Sequence, residues 1–73
     1  MLIQKELNYK LIDAAKNGDI RNALKLIENG ADVDAKSNRG WTALHWAAYK
    51  GHVDVAKILI EKEADVDAKN NDG

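Results

Sequence analysis

The sequence predicts an all-α fold assembled from repeated helix–turn–helix units, and three observations carry that expectation. Segments recur at a fixed offset: GADVDAKSNRG ends at Gly40, and EADVDAKNNDG ends at Gly73, 33 residues later. The same offset pairs Leu11 with Leu44, Ala14 and Ala15 with Ala47 and Ala48, Gly18 with Gly51, and Leu26-Ile27-Glu28 with Leu59-Ile60-Glu61. A fixed period of this size marks a stacked-repeat architecture. Apolar residues also return every three or four positions, which is the period of a helix face. Proline is absent and glycines stand where the stripes stop, so helices joined by glycine-marked turns are expected.

The first unit opens with Ile3, Leu7, Leu11 and Ala14 on one helical stripe. Lys16–Asp19 (KNGD) breaks it, and Gly18 suits a left-handed turn. A shorter helix follows over Ile20–Glu28, with Gly30 a natural helix end. The second unit starts at Thr42, whose hydroxyl can accept a free backbone N–H as an N-cap. Leu44, Ala47 and Ala48 are expected to face inward, the small alanines letting two helices lie close. Gly51 makes the next turn. Val53, Val55, Ala56, Ile58, Leu59 and Ile60 then form a helix that is apolar on more than one side. Such a helix expects neighbours on both sides.

With 73 residues and a formal net charge of −1, the chain holds one small domain and carries no strong field toward nucleic acid or an anionic membrane. Below roughly 70–80 residues a single apolar core supplies only a few kcal/mol of net stability. Cysteine is absent, which removes disulfides, thiolate metal sites and thiol nucleophiles. No apolar run approaches the roughly 18 residues of a membrane span, and MLIQKELNYK lacks the long apolar stretch of a secretory signal. A reducing, intracellular (cytoplasmic) compartment is the favoured expectation.

At Gly40–Ala68, GWTALHWAAYKGHVDVAKILIEKEADVDA, and at AAKNGDI and LIENGADVDA in the first unit, the chain resembles the ankyrin repeat family. The resemblance implies a solenoid of antiparallel helix pairs with a projecting β-turn finger between units, here about Asp34–Trp41. Residues 1–36 look like an N-terminal capping unit, 37–69 a full repeat, and 70–73 the start of a further repeat. The first unit lacks the TxLH start and carries Asn22 and Lys25 where the second has Val55 and Ile58, as a water-facing terminal repeat requires. Glu63 stands where the first unit has Gly30, so Glu63→Gly is expected to raise the melting temperature if the backbone there is left-handed.

Function follows as an expectation of the same resemblance: a non-catalytic protein–protein interaction module with no cofactor. The family's partner-contacting positions, fingertip and concave helix face, fall on Asn38, Arg39, Trp41, Trp46, Tyr49 and Lys50. Residues 46, 49 and 50 are spaced to share a strip, and Trp, Tyr and Arg are enriched at interface hot spots. The alternative for the tryptophans is simple gap-filling between helices. Thr42, His45, Gly18 and Gly51 are assigned to the scaffold. With nothing following Gly73, Val55, Ile58 and Leu59 are expected to form an uncapped face through which the chain self-associates as a homo-oligomer. A fragment of a longer array, or an engineered scaffold, is the bland alternative.

Other chemistries find little support. His45, His52 and Asp54 do not have zinc-ligand spacing. Ser37 and Thr42 are the available hydroxyl nucleophiles, one in a loop and the other a cap, so no enzyme is expected. The DVDAK segments Asp32–Lys36 and Asp65–Lys69 lack the glycine and late glutamate of a calcium loop. A small-ligand or nucleotide site, with aromatic stacking plus Arg39 and Lys50, is the alternative from another class. The neutral balance of charge argues against it.

Overall fold

The computed structural model describes residues 3–62. Among these, the chain forms α1 (Gln4–Asn17), α2 (Ile20–Glu28), α3 (Ala43–Lys50) and α4 (Val53–Glu61), with no strand. Helix α1 packs on α2 and on α3, α3 packs on α4, and α4 meets α2. Two helix hairpins thus lie side by side, related by the 33-residue offset. Glu63, Asp65–Lys69 and the expected further repeat at 70–73 lie outside the described residues.

The turns arise from local chemistry. After α1, Gly18 takes φ 72°, the left-handed region that costs glycine little. The Asp19 N–H then donates to the Ala14 carbonyl (2.9 Å) and the Gly18 N–H to that of Ala15 (3.3 Å), a Schellman ending. Gly51 repeats this after α3 at φ 74°, with His52 N–H to Ala47 O at 2.8 Å. Asp19 begins α2 by accepting the Asn22 N–H at 3.1 Å.

Leu7, Leu11, Ala14, Ala15, Ala23, Leu26, Ala43, Ala47, Val55 and Leu59 belong to one continuous core. The alanines at 14, 15 and 47 are buried in that core, where small side chains let helices approach closely. Polar ties supplement the packing. Asn8 Oδ1 accepts the Asp32 N–H at 2.8 Å, and Gln4 Nε2 donates to the Gly30 carbonyl at 2.9 Å, anchoring the loop after α2. His52 lies over Gly18 and places Nε2 3.2 Å from the Lys16 carbonyl, joining one hairpin to the other.

Three expectations need correction. Ile3 is the extended residue before α1 and is exposed, so it does not join the Leu7–Leu11 stripe. Ala48 is exposed and Leu44 half-buried, whereas their counterparts Ala15 and Leu11 are fully buried. The second hairpin covers the first, and no described residue covers those positions of the second. Val55 and Leu59 do not face outward: Val55 is 1% exposed and Leu59 is fully buried in the core. They stand four apart on the inner stripe of α4. The outer stripe carries Val53 (61% exposed) and Ile60 (50% exposed), with Ala56 half-buried. Ile58 is also half-buried.

Candidate functional site

The site begins with a tight turn between the hairpins. Gly40 takes φ 78°, its N–H donates to the Ser37 carbonyl (2.9 Å), and the Ser37 N–H donates to that of Trp41 (2.8 Å). The Trp41 N–H also reaches Ser37 Oγ at 3.3 Å. Trp41 is thereby set directly before the start of α3. Thr42 then caps that helix: its Oγ1 accepts the His45 N–H at 3.2 Å, while His45 Nδ1 accepts the Thr42 N–H at 2.9 Å. This reciprocal capping box satisfies two donors left over at the helix start. Nδ1 is consequently the unprotonated ring nitrogen. His45 is engaged in holding the loop to the helix.

Capping fixes the phase of α3 and so the placement of its aromatic residues. Trp41 lies 4.8 Å from Trp46 and 5.4 Å from Tyr49 between ring centroids, the latter at an interplanar angle of 85°. Trp46 and Tyr49 meet at 6.0 Å and 82°. Tilted and edge-to-face contacts at these separations are the favoured aromatic geometries. With Ser37 and Arg39, the three rings line a cleft of about 210 Å³. Trp46 is half-buried against the core, Trp41 is half-buried, and Tyr49 is 70% exposed. Trp46 therefore serves packing and wall at once.

Ammonium groups lie against two of these rings. Lys16 Nζ lies over the Trp46 ring at 5.0 Å from its centroid, and Lys50 Nζ lies 5.9 Å from that of Tyr49. Both are within cation–π range.

Of the residues singled out in the sequence, Arg39, Trp41, Trp46 and Tyr49 line the cleft, and Lys50 reaches it through Tyr49. Asn38 is not brought there: it lines a separate hollow with Lys5, Asn8, Tyr9 and Lys36. Lys16 and Ser37 are additions. Lys16 is distant in the chain and belongs to the other hairpin, so no local pattern points to it, although the 33-residue offset aligns it with Tyr49. Among the described residues, no three His, Asp or Glu side chains converge as a metal site requires, and no helix is long and apolar enough to cross a membrane.

Stacked helix hairpins, with a turn and an aromatic cleft built at their junction, define a helical-repeat protein. A family model described as ankyrin repeats, three copies, matches residues 11–73, all but the first ten positions. The chain is 46% identical over 56 residues to human ankyrin repeat domain-containing protein 40, covering 75% of this chain and 15% of that protein. It is 49% identical over 51 residues to acyl-CoA-binding domain-containing protein 1 of Arabidopsis thaliana, 68% of this chain and 15% of that one. An ankyrin repeat protein of Rickettsia felis is 42% identical over 52 residues, 71% of this chain and 82% of its own. The chain belongs to the ankyrin repeat family. It spans 15% of the length of the first two of these relatives. Ankyrin repeats are generally protein–protein interaction modules and generally not enzymes.

Proposed function

We propose that this chain is a non-catalytic protein-binding module whose partner seats on the cleft formed by Arg39, Trp41, Trp46 and Tyr49. One observation carries the proposal: Tyr49 stands 70% exposed on α3 beside two tryptophan rings. A large aromatic side chain held out in water, with its neighbours already ordered, can bury much area on binding at little rotamer cost. The test is selection of a phage-displayed random peptide library on the chain. Enriched peptides should lose binding to Trp41→Ala and Tyr49→Ala while far-UV circular dichroism stays unchanged. Enriched peptides indifferent to both substitutions would place the partner surface elsewhere.

A second reading is self-association through the outer stripe of α4. It is favoured by Val53 and Ile60, which are exposed where their counterparts Ile20 and Ile27 are half-buried beneath the neighbouring hairpin. Light scattering across a wide concentration range should then show a mass that rises with concentration and falls on Val53→Lys plus Ile60→Lys. A constant monomer mass would refute it.

A further inference from the structure

We propose that the aromatic cleft takes a single apolar side chain from an acidic peptide, the flanking carboxylates pairing with Lys16 and Lys50. The inference rests on the cleft being the partner surface and specifies what it selects. Size is the first argument. A cavity of about 210 Å³ falls short of the roughly 300–1,000 Å³ typical of small-molecule and cofactor sites. It admits one side chain and is too small to enclose a nucleotide. The walls are apolar rings, Tyr49 meeting both tryptophans near right angles and the tryptophans tilted at 47° to each other, so an inserted group touches ring face and ring edge together.

Charge is the second argument, and it decides against the other obvious guest. An aromatic pocket commonly accepts a cation, because ring faces attract positive charge. Here two of the ring faces already hold ammonium groups of the protein, Lys16 Nζ at Trp46 and Lys50 Nζ at Tyr49. A cationic guest must displace them or be repelled by them. The cleft lining itself contains Arg39 and no carboxylate among the described residues. Asp13, one turn before Lys16 on α1, is exposed and, like Lys16 and Lys50, is not part of that lining; unlike them it touches none of the cleft's rings in any contact of the described residues. A carboxylate guest leaves both cation–π contacts in place and adds charge-assisted hydrogen bonds to the same two ammonium groups. Lys16 comes from the first hairpin and Lys50 from the second, so the selectivity belongs to their junction and to neither unit alone.

The experiment titrates the ¹⁵N-labelled chain and follows the indole N–H signals of Trp41 and Trp46. The probes are Ac-Asp-Glu-Leu-Asp-Glu-NH₂, its Gln-Gln-Leu-Gln-Gln and Lys-Lys-Leu-Lys-Lys counterparts, and a thymidine octanucleotide. The acidic peptide should shift both indoles and bind tightest of the four. Lys16→Gln with Lys50→Gln should weaken it roughly two- to thirtyfold, the range for two exposed ion pairs, with the neutral peptide unaffected. Tighter binding of the basic peptide would overturn the charge assignment while leaving the cleft a binding surface. Tighter binding of the oligonucleotide would overturn the peptide in favour of nucleic acid. Acidic binding unchanged by the double substitution would remove the lysines from the site. No indole shift with any peptide would refute the proposal, and the library selection then judges separately whether the cleft binds a partner at all.

Discussion

Gly18 and Gly51 offer a matched pair of perturbations that separates backbone strain from packing. Both end a helix by the same Schellman pattern, at φ 72° and 74°. An alanine at either position meets the left-handed penalty of roughly 1–2 kcal/mol. The surroundings differ. A Cβ at Gly51 meets nothing within 4 Å. A Cβ at Gly18 lands 2.7 Å from His52 Nδ1 and 2.8 Å from Cε1, so the imidazole must swing away. That movement abandons the contact between His52 Nε2 and the Lys16 carbonyl at 3.2 Å, a hydrogen bond contributing about 0.5–1.5 kcal/mol. Gly51→Ala is therefore expected to cost about 1–2 kcal/mol and Gly18→Ala about 1.5–3.5 kcal/mol. In a domain of this size each kcal/mol corresponds to roughly 4–8 °C in melting temperature. Thermal and urea unfolding followed by circular dichroism at 222 nm give both values. The excess at Gly18 should vanish in a His52→Ala background, closing a double-mutant cycle. Equal losses for the two glycines, or an excess that survives without the imidazole, would refute the steric argument and with it the role of His52 as the tie between hairpins.

Three further outcomes test other parts of the structure by the same unfolding measurements. Thr42→Ala removes the cap of α3 and should cost about 1 kcal/mol, with Thr42→Ser retaining most of the stability. Leu59→Ala should cost about 2–5 kcal/mol because the side chain is fully buried, whereas Ile60→Lys on the outer stripe should stay within about 1 kcal/mol, and a reversal of that order would invert the facing of α4. Tyr49→Ala should cost about 0.5–1.5 kcal/mol through its edge-to-face ring contacts, well below Leu59→Ala because Tyr49 is exposed, while abolishing peptide binding at the cleft.

Much of the fold was legible because its determinants are local. Gly18 and Gly51 turn the chain through conformations that other residues resist, and Thr42 caps α3 with its own hydroxyl. The extent of α2, Ile20–Glu28, agrees with the apolar pattern that predicts it. The 33-residue offset announced that the two hairpins are alike, and their stacking follows from that likeness. The concentration of aromatic residues around Trp41 was equally visible, since 41, 46 and 49 lie close in the chain.

Tertiary structure decided which way each apolar surface turned. On α4 six apolar residues surround the helix, so composition offers no single inward stripe. Contact with α2 and α3 selected Val55 and Leu59 for the core and left Val53 and Ile60 outside. Ala48 looked like Ala15 by sequence and differs from it in having no described helix pair on its outer side. The cleft's charge also arose only on folding. Lys16 sits 30 positions before Trp46 in the chain, and only the packing of α1 against α3 carries its ammonium group over the indole. Local sequence sets turns, caps and periods through interactions a few residues long. Neighbours from distant segments set burial and electrostatic context, because those depend on what fills the space beside each face.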